Sequence, residues 1–162
     1  MYLLYLAKEL ARQDHQVHVL FPTSTSMDEI VSMFPPGIII HRATLRNTYD
    51  RTLRQFGAVL DVINQTTCRK SILNIKPDII HINQQVAEDG LDLLLATWSL
   101  RLPCVTTIHI TQSAKNLGAR FGGLRDWLTE KVHLISGFNT ITVSSEMRRL
   151  LIDRKKYRFW CL

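Results

Sequence analysis

A chain of 162 residues suffices for one domain with its own core. Its 46% hydrophobic and 21% charged residues exclude disorder over most of the length. The net charge of +6 comes from Lys and Arg spread along the chain, so it reads as a soluble surface rather than a phosphate-binding patch. The exceptions are Arg148-Arg149 and Arg154-Lys155-Lys156-Tyr157-Arg158 near the C-terminus.

Over residues 2–13, Leu3, Leu6, Ala7, Leu10 and Ala11 recur at helical spacing and predict an amphipathic helix. Gln13-Asp14-His15 is a polar turn. Gln16–Phe21 reads as a strand, ended by Pro22 and the loop Thr23–Ser26. Pro35-Pro36-Gly37 stops any helix over 27–34, and Ile38-Ile39-Ile40-His41 is a short buried strand. One long helix is expected over 51–74, with Leu53, Phe56, Leu60 and Ile63 on its inner face. Pro77 ends that region before the strand Asp78–Asn83. Leu91, Leu94, Leu95 and Trp98 mark a helix within 87–101, broken by Pro103, and Cys104–His109 is a β-branched strand. Leu124, Leu128, Val132 and Ile135 mark the next helix, with Gly137 at its C-terminal turn. Asn139–Val143 is the last strand, and Ser144 or Ser145 can cap a helix over 145–153.

Helices and strands alternate, and several strands are apolar throughout. Strands buried on both faces belong to a parallel sheet covered by helices, so the fold class is α/β, a Rossmann-like parallel sheet flanked by helices. The expected organisation is one unit over 1–152, then an irregular tail over 153–162. No apolar run approaches the roughly 20 residues that span a bilayer, and the N-terminus lacks the pattern of a signal peptide. Cys68, Cys104 and Cys161 are odd in number and far apart, without metal-ligand spacing. That argues against a zinc site or disulfide framework and for a reducing, cytoplasmic setting.

Ligands of open parallel sheets bind beyond the carboxyl ends of the strands. That rule selects Thr23–Ser26, Asn83-Gln84-Gln85, His109–Gln112 and Ser144-Ser145-Glu146, all polar and suited to a polyhydroxylated or phosphorylated ligand. His109 has two readings: an imidazole that exchanges a proton or hydrogen bond with a reacting group, or a strand-end histidine bonded to a neighbouring carbonyl. His81, His18 and His41 read as satisfied strand histidines, His15 as a turn residue and His133 as a surface or boundary residue. Trp98 and Trp127, on helical stripes, read as core. Gly122-Gly123 reads as a loop-to-helix turn. No glycine-rich phosphate motif, nucleophile elbow or metal-binding helix motif occurs.

Four segments resemble family 4-type retaining glycosyltransferases, in the family's order. They are Leu6–Leu20, Ile75-Lys76-Pro77-Asp78-Ile79-Ile80-His81-Ile82, Leu102-Pro103-Cys104-Val105-Thr106-Thr107-Ile108-His109 and Asn139–Ser144. The resemblance implies the N-terminal, acceptor-side half of a GT-B enzyme, truncated at both ends. His109 would face the transferred sugar as the catalytic candidate. Asn83, Gln84, Thr111, Ser144 and Ser145 would line the cleft. It further implies a nucleotide-sugar donor held by a second domain, with no cofactor and no metal, and a sugar or lipid-linked acceptor. The acceptor would be met in the cytoplasm, or at the inner face of a membrane through peripheral association.

The sequence also departs from the family. The first strand of the 3-2-1-4-5-6 order is expected to be missing, Asp14 stands where the family has a glycine, and Ile110 follows His109 where the family has an acid. An isolated fragment of this kind is expected to be inactive, marginally stable and prone to aggregate through unpaired strand edges. An alternative is a non-catalytic partner subunit that completes the cleft of a separately encoded donor-domain chain. Nucleic-acid binding through the basic C-terminal end has no motif behind it, and a basic-aromatic membrane anchor is a further reading of the same residues.

Overall fold

The computed structural model describes residues 2–153; the expected tail, except Asp153, lies outside the described residues. The described residues group into two compact units, one ending at Arg46 and one starting at Asn47.

In the first unit, helix α1 (Tyr2–Arg12) leads into strand β1 (His18–Pro22). A 3-10 turn (Thr25–Met27) and helix α2 (Asp28–Ser32) lead on to strand β2 (Ile39–Ala43). The two strands are parallel, with His18 opposite Ile39 and Pro22 opposite Ala43. The apolar stripe of α1 meets the sheet in a core of Ala7, Val19, Phe21 and Ile38, to which Leu3, Ala11 and Phe34 add. Asp14 closes the turn after α1 at φ +63°, a left-handed conformation that favours glycine and that Asp tolerates better than most residues. His18 Nδ1 and His41 Nε2 lie 2.8 Å apart with their rings stacked, so the two strand histidines satisfy each other. Burial, with His18 beside it, holds the His41 pKa below the usual histidine value.

The second unit begins with a 3-10 turn (Thr48–Asp50), helix α3 (Arg54–Leu60) and helix α4 (Val62–Ile75). The alternating run β3 (Ile80–Val86), α5 (Leu91–Leu100), β4 (Cys104–Ile110), α6 (Gly122–Ser136), β5 (Asn139–Thr142) and α7 (Ser145–Asp153) follows. The three strands are parallel in the order β3-β4-β5. Ile82, Leu91, Leu94, Cys104 and Val132 form its main core, and Ala87, Ile108 and Leu151 a smaller one. Gly137 takes φ +63° at the end of α6, and Ser144 Oγ accepts from Met147 N at 3.2 Å to cap α7.

The long helix expected over 51–74 is broken at Asp61. Its carboxylate accepts from Asn64 N at 2.9 Å and starts α4 afresh. The break turns the expected inner face outward. Leu53, Leu60 and Ile63 are exposed, while Gln55, Ala58, Asn64, Cys68 and Ile72 are buried. Trp98 and Trp127, expected in the core, are about half exposed, because α5 and α6 bury Leu91, Leu94 and Val132 instead.

A buried ionic network holds these elements. The Arg51 guanidinium meets Asp61 at 3.3 Å and Asp92 at 2.7 Å, its side chain only 6% exposed and that of Asp92 2%. Asn64 donates to the same Asp92 oxygen. Removing one partner from such a network strands a charge away from water. Asp92→Ala is expected to destabilise the fold by about 3–5 kcal/mol in urea unfolding, with Arg51→Met in the same background recovering part of it. A loss below about 1 kcal/mol would show that the network is solvated.

Candidate functional site

The three-stranded sheet directs the carboxyl ends of β3 and β4 to the same side of the second unit, as parallel pairing requires. Strand β3 continues three residues beyond its expected end, so Asn83, Gln84 and Gln85 lie within it. Side chains alternate there, with Ile82 and Gln84 buried and Asn83 and Gln85 exposed. His81 and Asn83 share a face, and across the ladder they meet Thr107 and His109. His81 Nε2 lies 2.8 Å from Thr107 Oγ1, and His109 Nε2–H donates to Asn83 Oδ1 at 2.8 Å. Two polar rungs therefore stand side by side on one face of β3 and β4.

The other expected cleft residues divide. Ser144 and Ser145 are exposed after β5, where Ser144 caps α7. Thr111 is buried, its hydroxyl donating to the Met147 carbonyl at 2.8 Å and so tying the end of β4 to α7. Gln84 is also buried, 1% exposed, with its amide donating to the Asp89 carbonyl. These two positions hold the strand ends in place and do not open onto solvent. His133 is buried too, contrary to expectation, with Nε2 2.9 Å from the Ala87 carbonyl. It anchors α6 to the turn after β3.

Beside this end of the sheet lies a pocket of about 220 Å³. Its walls are Tyr49 and Arg54 before and within α3, the turn Val86–Glu88, the loop after β4 starting at Gln112, and Arg125, Asp126 and Thr129 of α6. The loop after β4 is fixed from two directions. Asp126 accepts from Ala114 N at 2.7 Å and from Lys115 N at 3.0 Å. Gly122 lies against the same backbone, where an added Cβ would come within 2.5 Å of Lys115 Cα. The glycine read as a plain turn residue is thus required for close backbone packing. Glu88 and Arg125 pair in a two-point contact across the wall, Arg125 Nε lying 3.1 Å from Glu88 Oε2. Burial pushes the Tyr49 phenol up to about 12, and the Asp89 carboxylate adds to the shift.

Only Gln112 among these wall residues belongs to the strand-end groups selected from sequence. Tyr49, Arg54 and the α6 residues Arg125 and Thr129 are far apart in the chain, and the Glu88–Arg125 pair spans 37 positions, with no local pattern to announce it. Among the described residues no cluster of His, Cys, Asp or Glu could hold a metal ion, and no helix is long and apolar enough to cross a membrane.

The rungs also make a pH prediction. Burial first, and the neighbouring His109 second, lower the His81 pKa. His81 is therefore expected to stay neutral below the ordinary histidine range in an NMR titration, and His109→Asn should raise its pKa without restoring the ordinary value. Because the folded pKa is depressed, the stabilisation from neutral His81 is present above about pH 6.5 and is lost as the pH falls. An ordinary His81 titration would contradict the burial.

A comparison with curated proteins returns no significant match. Against protein-family models, residues 1–159 match the family described as Glycosyltransferase Family 4. With the parallel sheets and covering helices already described, this extent of match shows that the chain belongs to glycosyltransferase family 4, by its N-terminal Rossmann-like domain.

Proposed function

We propose that the carboxyl end of the three-stranded sheet presents the acceptor side of a sugar-transfer cleft, in which His109 faces the sugar moving from a nucleotide donor. The observation that carries this reading is the Asn83–His109 hydrogen bond, with a pocket beside it at the strand ends. In this reading Asn83 orients the imidazole by fixing its Nε2 as the donor, which leaves the ring poised to meet a hydroxyl. The exposed Ser144 and Ser145 border the same end. Thr111 and Gln84 act behind the site, holding α7 and the β3 turn.

The nucleotide sugar is bound by a donor domain, in the same polypeptide or in a partner chain. Negative charge developing on the leaving phosphate is met there by cationic groups and a helix N-terminus, without a metal. The 162 residues by themselves transfer no sugar. The buried thiols Cys68 and Cys104, both pushed up to about 12 by burial, suit a reducing cytoplasm, and the inner face of a membrane is where a lipid-linked acceptor would be met.

The purified 162-residue polypeptide, given radiolabelled UDP-glucose or GDP-mannose, is expected to release no labelled sugar. In saturation-transfer NMR a panel of methyl hexosides should gain signal while UDP and GDP gain none. Turnover of either nucleotide sugar, or nucleotide signals with silent hexosides, would contradict the acceptor-side reading.

A further inference from the structure

We propose that the pocket at the ends of β3 and β4 is a subsite for a sugar-sized polyol bearing one anionic group, anchored by Arg54. The proposal rests on the acceptor-side reading above and names the class of acceptor that the site would take.

Size sets the first limit. At about 220 Å³ the pocket is smaller than the roughly 300–1,000 Å³ of sites for drug-sized ligands, so a single sugar ring fits its scale and a nucleotide does not. Charge sets the second. Arg125 is matched by Glu88, and both oxygens of Asp126 are engaged by backbone N–H groups. Arg54 differs. Its guanidinium lies 5.7 Å over the Tyr49 ring, and no carboxylate pairs with it among the described residues. It is exposed to incoming ligand and emerges from backbone at φ +43°, a conformation that non-glycine residues seldom adopt. One guanidinium on the wall is therefore without an ion-pair partner among the described residues.

The third limit is hydrogen bonding. Thr129 lines the pocket and is only 2% exposed, yet its Oγ1 has no hydrogen-bond partner. That oxygen is closed off from solvent, so a ligand's hydroxyls are met at the pocket rim instead. The exposed Gln112 adds an amide at the rim, while Val86, Ala87 and Ala114 supply the apolar floor against which a sugar ring packs. A neutral sugar would leave Arg54 without a counter-charge. One anionic group on a polyol, phosphate or carboxylate, satisfies these limits.

The test is calorimetric titration of the full chain with glucose 6-phosphate, glucose and inorganic phosphate. The expected order is glucose 6-phosphate tightest and the other two weaker. Arg54→Gln should weaken glucose 6-phosphate by about tenfold or more, as loss of a charge-assisted hydrogen bond does, and abolish its advantage over glucose. Arg54→Lys should retain part of that advantage. Gln112→Ala should weaken glucose and glucose 6-phosphate by similar factors, and Lys70→Gln, an equal loss of charge on the exposed face of α4, should change neither. Circular dichroism of each variant separates lost binding from lost folding.

Equal binding of glucose and glucose 6-phosphate would overturn the inference, as would no effect of Arg54→Gln or an equal effect of Lys70→Gln. Inorganic phosphate binding as tightly as glucose 6-phosphate would also overturn it, since the polyol would then contribute nothing. The two levels separate cleanly. Sugar transfer onto neutral hexosides, in an assay supplied with a donor domain and indifferent to Arg54→Gln, would sink this inference and leave the acceptor-side reading standing. Arg54-dependent binding of glucose 6-phosphate together with tight nucleotide binding would do the reverse.

Discussion

The Arg51 guanidinium, buried between Asp61 and Asp92, is the fixed point of the larger unit. Asp61 starts α4 and Asp92 lies in the first turn of α5, so one side chain joins the segment before α3 to two helices that cover the sheet. Tyr49 and Arg54 flank it at two and three residues. Their place on the pocket wall follows from a buried charge that cannot move to solvent without leaving Asp92 unpaired. Thr48 adds a second tie, its hydroxyl accepting from Gly90 N at 3.0 Å where α5 begins. The network does more to fix position than to add net stability, because burying three charges costs nearly what their attraction returns.

Parallel pairing supplies the other half of the geometry. Once β3 and β4 run side by side, His81 and Asn83 must align with Thr107 and His109, since side chains two residues apart share a face. The polar rungs sit on strands whose opposite face contributes Ile82 and Ile108 to the core, so the strands can carry polar groups on one side without losing their packing. The loop beyond β4 would otherwise be free to wander. Asp126 and the side-chain-free Gly122 hold it against α6 and keep the pocket open.

Much of this was legible in the residues. Apolar runs and prolines placed all five strands, and Gly137 and Ser144 marked helix ends that the structure confirms, because those signals are local. The expected strand ended at Asn83, and Gln84 and Gln85 fell beyond it because amides give no apolar signal. Alternation makes sense of them, with Gln84 turned inward onto a backbone carbonyl. The break at Asp61 was not legible, since the aspartate caps α4 only while Arg51, ten residues earlier, holds it. Nor could periodicity find the wide exposure of Leu60, Ile63, Trp98 and Trp127, because it identifies an apolar stripe without saying which side is covered. The pocket gathers residues from five segments, and no spacing in one sequence encodes such a meeting.

The central claim is that carbohydrate enters at the carboxyl ends of β3 and β4, on a wall fixed by Arg51. Backbone NMR mapping of the chain during titration with a hexose tests it most directly. The account predicts chemical-shift changes confined to residues 83–90, 107–115 and 125–129, with Tyr49 and Arg54 moving in step. Changes clustered at the amino ends of the strands, near Cys104 and Asn139, or on the outer face of α4, would contradict it.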